Sequence, residues 1–492
     1  MKRITIPALF FIIVLGLMLR LYRFDNPVAD WHSWRQADTS AVSRNFANRG
    51  FDILHPRFDD LSNVPSGLDN PQGYRFVEFP IYNIAQAGLF KLFGILTLEE
   101  WGRIVTIFSS LSTALLIFLI LKKHVNETAG LFGAFFFALL PFSIYFGRTI
   151  LPDPSTAAAV LAGIYFFDLW ISENSKFKIQ NSKIQFKSKN YIYFCLSLFF
   201  IAISLLLKPF AIFFTLPIIY LAFSQFGMNA IKKWQLWLFG FLTILPLIGW
   251  RFWISQFPQG IPVSSWLFNE GNIRFKGAYF YWLFGERLGK LILGYWGLSF
   301  FVLGLIAKFK SKKDLLFFYS FIVSCLIYLV VVARGNVQHD YYQVLIVPTI
   351  CIFLGLGAEF LLNFTKTYTN KYIGPAILFI SAVFMFFLSW YYVRDYFNIN
   401  NHSIVLAGAA VDRLTPEDAK VIANYNGDTS FLYQTKRQGW ASYEKNLTGM
   451  IELGADYLVL ANPVPSDFDF AKEYLIVEKT PEYVIFDLHK NP

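Results

Sequence analysis

Trp31-His32-Ser33-Trp34-Arg35-Gln36-Ala37-Asp38-Thr39-Ser40-Ala41-Val42-Ser43-Arg44-Asn45-Phe46 is a polar stretch lodged directly behind an apolar opening segment. Two aspartates, Asp30 and Asp38, lie in or beside it. The chain around it reads as membrane. Apolar runs of roughly 17–23 residues recur, the length that crosses a bilayer as a helix. Of the 492 residues, 55% are hydrophobic, 19% aromatic and only 15% charged, against about 25% charged in ordinary soluble domains. This is the composition of a polytopic helical membrane protein with a polar segment held at the bilayer surface. The net charge of +10 does not point to nucleic acid, because the basic residues are dispersed between apolar runs. Cys195, Cys325 and Cys351 all fall inside apolar runs, with neither metal-site spacing nor a disulfide framework.

Eleven spans are expected, at 4–22, 104–121, 128–146, 154–171, 191–207, 210–226, 234–250, 290–307, 315–333, 341–363 and 372–393. Lys2 and Arg3 before the first run suit a signal peptide, but no small-residue cleavage site follows, so it reads as an anchor. The run 191–226 is too long for one helix, and Lys208-Pro209 divides it into two. Loops after even-numbered spans hold Lys122 and Lys123, the lysines of 173–190, Lys232 and Lys233, then Lys308 to Lys313, and lastly Lys366 and Lys371. The positive-inside rule therefore predicts a cytoplasmic N-terminus in the cell (plasma or inner) membrane. The low-complexity stretch 173–190 reads as a surface loop attracted to anionic lipid.

This topology gathers the reactive residues on the outer side. There lie the long loop 23–103, the tight loop Arg148 to Asp153, the turn at Lys208, the loop 251–289, the loop Arg334 to Asp340, and everything beyond about 394. Within the first loop, 36–47 and 79–96 have helical spacing and suit interfacial helices. Asp38, set among Trp31, Trp34 and Arg35, suits a general base, and equally a local cap or ion pair. Asp153 before Pro154 suits a helix N-cap, while Arg148 suits a phosphate oxygen. Lys208, Arg334 and His339 add cations on the same side, although Lys208 also fits a snorkelling role.

Over residues 1–365 the chain resembles the GT-C class of integral-membrane glycosyltransferases. The branch it resembles contains protein O-mannosyltransferases and the aminoarabinose transferases of lipid A, glycosyltransferase families 39 and 83. The resemblance rests on the helix Trp34 to Gly50, on Phe76-Val77-Glu78-Phe79-Pro80-Ile81-Tyr82, on Gly147-Arg148 through Asp153, on Lys208-Pro209, and on His339 through Pro348. It implies an enzyme that moves a sugar from a polyprenyl-phosphate-linked donor to a lipid, protein or glycan acceptor on the outer face, with inversion. It further implies that Arg148, Lys208, Arg334, His339 and Arg75 hold the leaving phosphate. Glu78, Asp153, Trp34, Arg35, Gln36, Tyr341 and Tyr342 would bind substrate, and an aspartate of the first loop, Asp38 or else Asp30, would be the base.

The sequence departs from the family's pattern at two points. An overlay on Ala37, Arg44 and Gly50 puts Arg35-Gln36 where the family carries an acidic pair, so Asp38 falls three residues later on nearly the same helix face. Where the family has a lysine after its glutamate this chain has Phe79, and Arg75 is the nearest replacement cation.

From about residue 396 the composition changes. Short apolar runs at 421–423, 431–433, 457–461, 474–477 and 483–488 read as strands, and 440–453 as a helix. The expected organisation is an all-α membrane module, 1–395, followed by a small extracytoplasmic α/β domain, 396–492. A transporter or flippase of a lipid-linked substrate is the competing reading, but it would place charge inside the spans, and here charge gathers at one rim. An inactive scaffold is the other, kept open by the altered acidic pair. No metal-binding motif is present. His32 and His55 share their loop with aspartates, yet the expectation is that no metal or other cofactor is used.

Overall fold

Lys122, Lys123 and His124 close a 27-residue apolar helix that opens with a capping box, in which Thr97 accepts from the Glu100 amide at 3.2 Å and Glu100 accepts from the Thr97 amide at 2.8 Å. Acidic side chains at the start and basic ones at the end complement the helix dipole. The same logic of long apolar helices bounded by polar ends repeats along the chain. The computed structural model describes residues 2–176 and 188–491. Most of the lysine-bearing stretch 173–190 therefore lies outside the described residues.

The first ten α-helices are α1 (Lys2–Arg20), α2 (Ser33–Arg49), α3 (Ile81–Phe93), α4 (Leu98–His124), α5 (Glu127–Leu139), α6 (Pro141–Phe146), α7 (Asp153–Lys176), α8 (Ser188–Leu207), α9 (Leu216–Phe226) and α10 (Trp234–Ile254). Among the described residues seven helices are long and apolar enough to cross a membrane, and a pair bent by 114° at 292–297 makes up to eight. Three shorter apolar helices, Ile4–Arg20, Glu127–Leu139 and Tyr191–Leu207, fall on three more of the expected spans. The chain is thus a mostly helical integral membrane protein.

Two devices make the bundle tight. A Cβ on Gly304 would lie 2.0 Å from the Phe353 carbonyl oxygen, and one on Gly357 would lie 1.9 Å from that of Phe300. Only glycine lets these two helices meet backbone to backbone, the packing favoured in apolar surroundings. The second device is Arg20, which is fully buried. Its guanidinium donates to the Gly16 and Ala138 carbonyls at 3.0 and 2.8 Å and to the Ser110 and Ser143 hydroxyls at 3.0 and 3.1 Å. It satisfies carbonyls freed where Leu140-Pro141 breaks α5 from α6, a need that lipid cannot meet.

The carboxy-terminal domain holds one five-stranded sheet of β1 (Lys420–Ala423), β2 (Gln438–Trp440), β3 (Tyr457–Ala461), β4 (Leu475–Lys479) and β5 (Tyr483–Asp487), in the order β2-β1-β3-β5-β4. β1 pairs in parallel with β2 and β3, while β3–β5 and β4–β5 are antiparallel. The run 431–433, expected as a strand, is instead part of the helix Ser430–Gln434. Asp428 accepts from the Ser430 amide at 2.8 Å and starts that turn, and a three-residue apolar run has no period of its own to resist it. The missed strand is β2, whose Gln-Gly-Trp gives no alternation. The helix expected over 440–453 forms only from Leu447 to Glu452.

The first loop is stitched to this domain. The Leu61 amide donates to the Gly439 carbonyl at 2.7 Å, and the Gly439 amide to that of Asp59 at 3.0 Å. Asp60 and Gly439 form a parallel bridge, so residues 59–61 extend the β2 edge. Helix α2 is consequently buried along most of its length, from Ser33 to Phe46.

Candidate active site

His32 takes the left-handed conformation (φ 53°, ψ 36°) immediately before α2 and turns the chain into that helix. Its Nε2 lies 2.6 Å from Asp340 Oδ1, while Trp31 Nε1 and the Tyr396 hydroxyl donate to Oδ2 at 3.0 and 2.6 Å. Burial pushes the Asp340 carboxyl up, but hydrogen bonding from His32, with His32 and Arg287 nearby as charges, outweighs it and holds the group below the usual range. This knot ties the start of α2 to the segment before the helix Val347–Tyr368.

Trp34, Arg35 and Asp38 then fall on one face of α2, at the spacing that brings residues of a helix side by side. They line a cavity of about 510 Å³. Its other walls are the first-loop segments around Phe58–Pro65 and Arg75–Glu78, Lys208-Pro209-Phe210 after α8, Arg251 near the end of α10, the loop 261–268, Tyr341 and Tyr342, and Gly427 and Thr429 of the sheet domain.

The charged groups of the cavity are almost all paired. Arg35 Nη2 donates to both Glu78 oxygens at 2.5 and 2.8 Å, and proximity to Glu78 raises the guanidinium pKa despite burial. Arg75 Nη2 donates to Asp38 Oδ2, and its guanidinium lies over the Phe58 ring, 5.0 Å from the centroid. Arg75 Nε and Nη1, both buried, have no partner among the described residues. Lys208 Nζ donates to Asp153 Oδ1 and lies over the Tyr342 ring at 4.8 Å. Arg251 has no side-chain hydrogen bond or ion pair among the described residues, although it faces the field of Glu78. Three cations are thus matched to carboxylates and one is left over, together with two unused guanidinium nitrogens of Arg75. Unpaired guanidinium groups of this kind have the chemistry to bind an anion. Asp60, also in the wall, accepts from the Ser62 amide and hydroxyl at 3.1 and 2.8 Å. Burial pushes its carboxyl up to about 6.

The structure separates the residues singled out from sequence. Asp38, Trp34, Arg35, Arg75, Glu78, Lys208, Tyr341 and Tyr342 line the cavity. Asp30, Gln36 and Arg148 form a buried cluster of their own. Gln36 Nε2 donates to Asp30 Oδ1 at 2.7 Å, Arg148 Nη2 to Asp30 Oδ2 at 3.2 Å, and Arg148 Nη1 to the Arg23 carbonyl at 2.9 Å. Burial raises the Asp30 carboxyl and lowers the Arg148 guanidinium. Asp153 sits behind Lys208. Arg334 stands 4.0 Å from Glu270 with 37% of its side chain exposed, outside the cavity wall. His339 stacks on Tyr341 at 5.4 Å and meets Trp34 and Trp266 at 5.7 and 5.8 Å. Burial pushes its imidazole down to about 4, so it is neutral near pH 7. Arg251, Asp60 and Thr429 escaped the sequence reading. Arg251 had a signal, an arginine at the outer rim of an apolar span, but Thr429 had none.

The architecture is that of a GT-C glycosyltransferase. The chain superposes on ArnT from Cupriavidus metallidurans bound to undecaprenyl phosphate with a TM-score of 0.63 and 12% identity, covering 97% of each chain. It superposes on the oligosaccharyltransferase AglB from Archaeoglobus fulgidus, in complex with an inhibitory peptide and a dolichol-phosphate, with a TM-score of 0.58 and 11% identity, covering 98% of this chain and 74% of that one. Residues 100–270 match the profile of the dolichyl-phosphate-mannose-protein mannosyltransferase family. No curated protein sequence matches the chain. The fold and the family match together indicate a membrane glycosyltransferase.

Proposed function

We propose that the cavity transfers a sugar from a polyprenyl-phosphate donor to an acceptor at the extracytoplasmic face. The observation that carries this reading is the pairing, in one cavity, of a carboxylate with unspent guanidinium capacity. Asp38 faces the cavity beside Arg75 and Arg251, and among the described residues Arg75 Nε and Nη1 and the Arg251 side chain have no partner. Asp38 takes the proton of the acceptor hydroxyl or amine as that atom bonds to the anomeric carbon. The bond from that carbon to the phosphate oxygen breaks, and the electron pair leaves with the lipid phosphate. Arg251 and Arg75 stabilise the departing anion. Lys208, already committed to Asp153, contributes its field. One displacement with one base inverts the anomeric centre.

The bound undecaprenyl phosphate of ArnT and dolichol-phosphate of AglB support this donor class. Sidedness is supported by the lysines. The cavity lies at the start of α7 and the ends of α8 and α10, whereas Lys122, Lys123, Lys232 and Lys233 lie at the opposite helix ends. The aromatic surface of Trp34, Tyr341 and Tyr342 suits the apolar face of a sugar ring. In this reading Asp30 with Arg148 braces the start of α2, and neutral His339 backs the aromatic wall without supplying charge.

The test is transfer by the purified chain in lipid nanodiscs, offered radiolabelled polyprenyl-phosphate sugars and membranes as acceptor source. Label should appear in an acceptor with release of polyprenyl phosphate, and Asp38→Asn should slow it by about 100- to 10,000-fold. Full activity in Asp38→Asn would remove this aspartate as the base.

A further inference from the structure

The carboxy-terminal domain does more than cover the membrane module. Thr429 reaches from the turn before the helix Ser430–Gln434 to α2. Its hydroxyl donates to Asp38 Oδ1 at 2.6 Å and lies 3.2 Å from the Trp34 carbonyl oxygen. A hydroxyl has one proton, and the shorter contact takes it. The other Asp38 oxygen is held by Arg75. The carboxylate therefore has one oxygen fixed by its own module and the other by a residue 391 positions further along the chain.

The contact is braced from both sides. Gln434, one turn further on, donates to the Val28 carbonyl at 2.9 Å, and Arg44 donates to that of Tyr433 at 3.1 Å. Residues 59–61 bind the β2 edge, and Ala441 donates to Asp60 at 3.3 Å. Gly427 and Thr429 are themselves part of the cavity wall. A surface cap needs none of these contacts with the catalytic helix.

We propose that Thr429 is a positioning residue of the transferase centre, holding the Asp38 carboxylate in the orientation that accepts the acceptor proton. This rests on the reading of Asp38 as the base. The groups facing that carboxylate are Arg75 and Arg35 of the membrane module, Asp60 of the first loop, and Asp428 beside Thr429. Thr429 is the neutral donor among them, and it fixes direction without cancelling charge.

The experiment uses the full chain in nanodiscs and a radiolabelled polyprenyl-phosphate sugar that the wild type consumes. Thr429→Val keeps the shape and removes the donor. It should lower kcat about 100-fold, the scale of a misplaced reacting group, with donor KM held within about threefold. Thr429→Ser should restore kcat to within about threefold of wild type. In Thr429→Val the acidic limb of the kcat/KM profile should move to higher pH, because a carboxylate that loses a hydrogen bond to its charged form ionises less readily. Gln434→Ala, which loosens the brace to Val28 but keeps the hydroxyl donor on Asp38, should lower kcat far less than Thr429→Val and leave the limb where it is.

Wild-type kcat in Thr429→Val, an unmoved limb, or an equal loss in Gln434→Ala would each overturn the proposal. Added to Asp38→Asn, Thr429→Val should cost nothing more. An inactive Asp38→Asn with an active Thr429→Val sinks the positioning role alone. An active Asp38→Asn sinks the base, and the positioning role falls with it.

Discussion

Arg75 and Asp38 form a buried ion pair in which the arginine bonds through Nη2 and, among the described residues, keeps two nitrogens, Nε and Nη1, in reserve. A guanidinium placed only to neutralise Asp38 would be bonded more fully, since an unpartnered buried donor costs about 1–3 kcal/mol. The reserve makes sense if a second anion arrives.

Arg251 is the cleanest probe of that anion, because among the described residues it has no partner whose loss would disturb folding. Arg251→Ala should weaken binding of undecaprenyl phosphate by about 10- to 100-fold, the equivalent of one or two charge-assisted hydrogen bonds, with the melting temperature little changed. Titration calorimetry in nanodiscs measures it. Unaltered binding would move the phosphate elsewhere.

Asp38 and Asp30 should separate by readout. Asp38→Asn should cut kcat by about 100- to 10,000-fold, the range of a lost general base. Asp30→Asn should instead lower stability by about 3–5 kcal/mol, since it strands the buried Arg148, and the protein that folds should turn over near the wild-type rate. Thermal melts alongside initial rates distinguish the two.

His339 gives a pH signature. Its folded pKa, about 4, lies below the unfolded value of about 6.5. Between these values the unfolded chain binds more protons, so the stability from burying the neutral ring is complete above about 6.5 and drains away as pH falls toward 4. His339→Gln should flatten that part of the melting-temperature curve while leaving phosphate binding at pH 7.5 intact. A loss of phosphate affinity there would show that the ring serves the anion after all.

Arg20→Leu should destabilise by about 3 kcal/mol or more, because carbonyls at the break between α5 and α6 lose their donor where no water can replace it. Denaturant melts in detergent would show it. An unchanged midpoint would mean that Ser110 and Ser143 relax to serve those carbonyls.

Much of this was legible in the residues. Helix-length apolar runs and lysine asymmetry are long-range averages, so they survive without coordinates. Trp34, Arg35 and Asp38 share a face because the helical period puts them there, Lys208 and Tyr341 stood out as polar or aromatic groups at span ends, and Glu78 stood out through the family resemblance of its segment. What was hidden is convergence. Asp30 and Asp38 look equivalent in sequence, and only packing turns one to Arg148 and the other into the cavity. Thr429 is an ordinary turn residue whose meaning depends on where its domain docks. The run 431–433 was misread because three residues are too few to show a period.

The seam between the first loop and the β2 edge also sets an order of assembly. Asp38 is synthesised early, but the wall carrying Thr429 emerges 391 residues later. Until that last part is made and folded back, the newborn chain has a cavity missing one side. A ribosome stalled before the final hundred or so residues would leave a helical shell in the bilayer with its workshop still open to water.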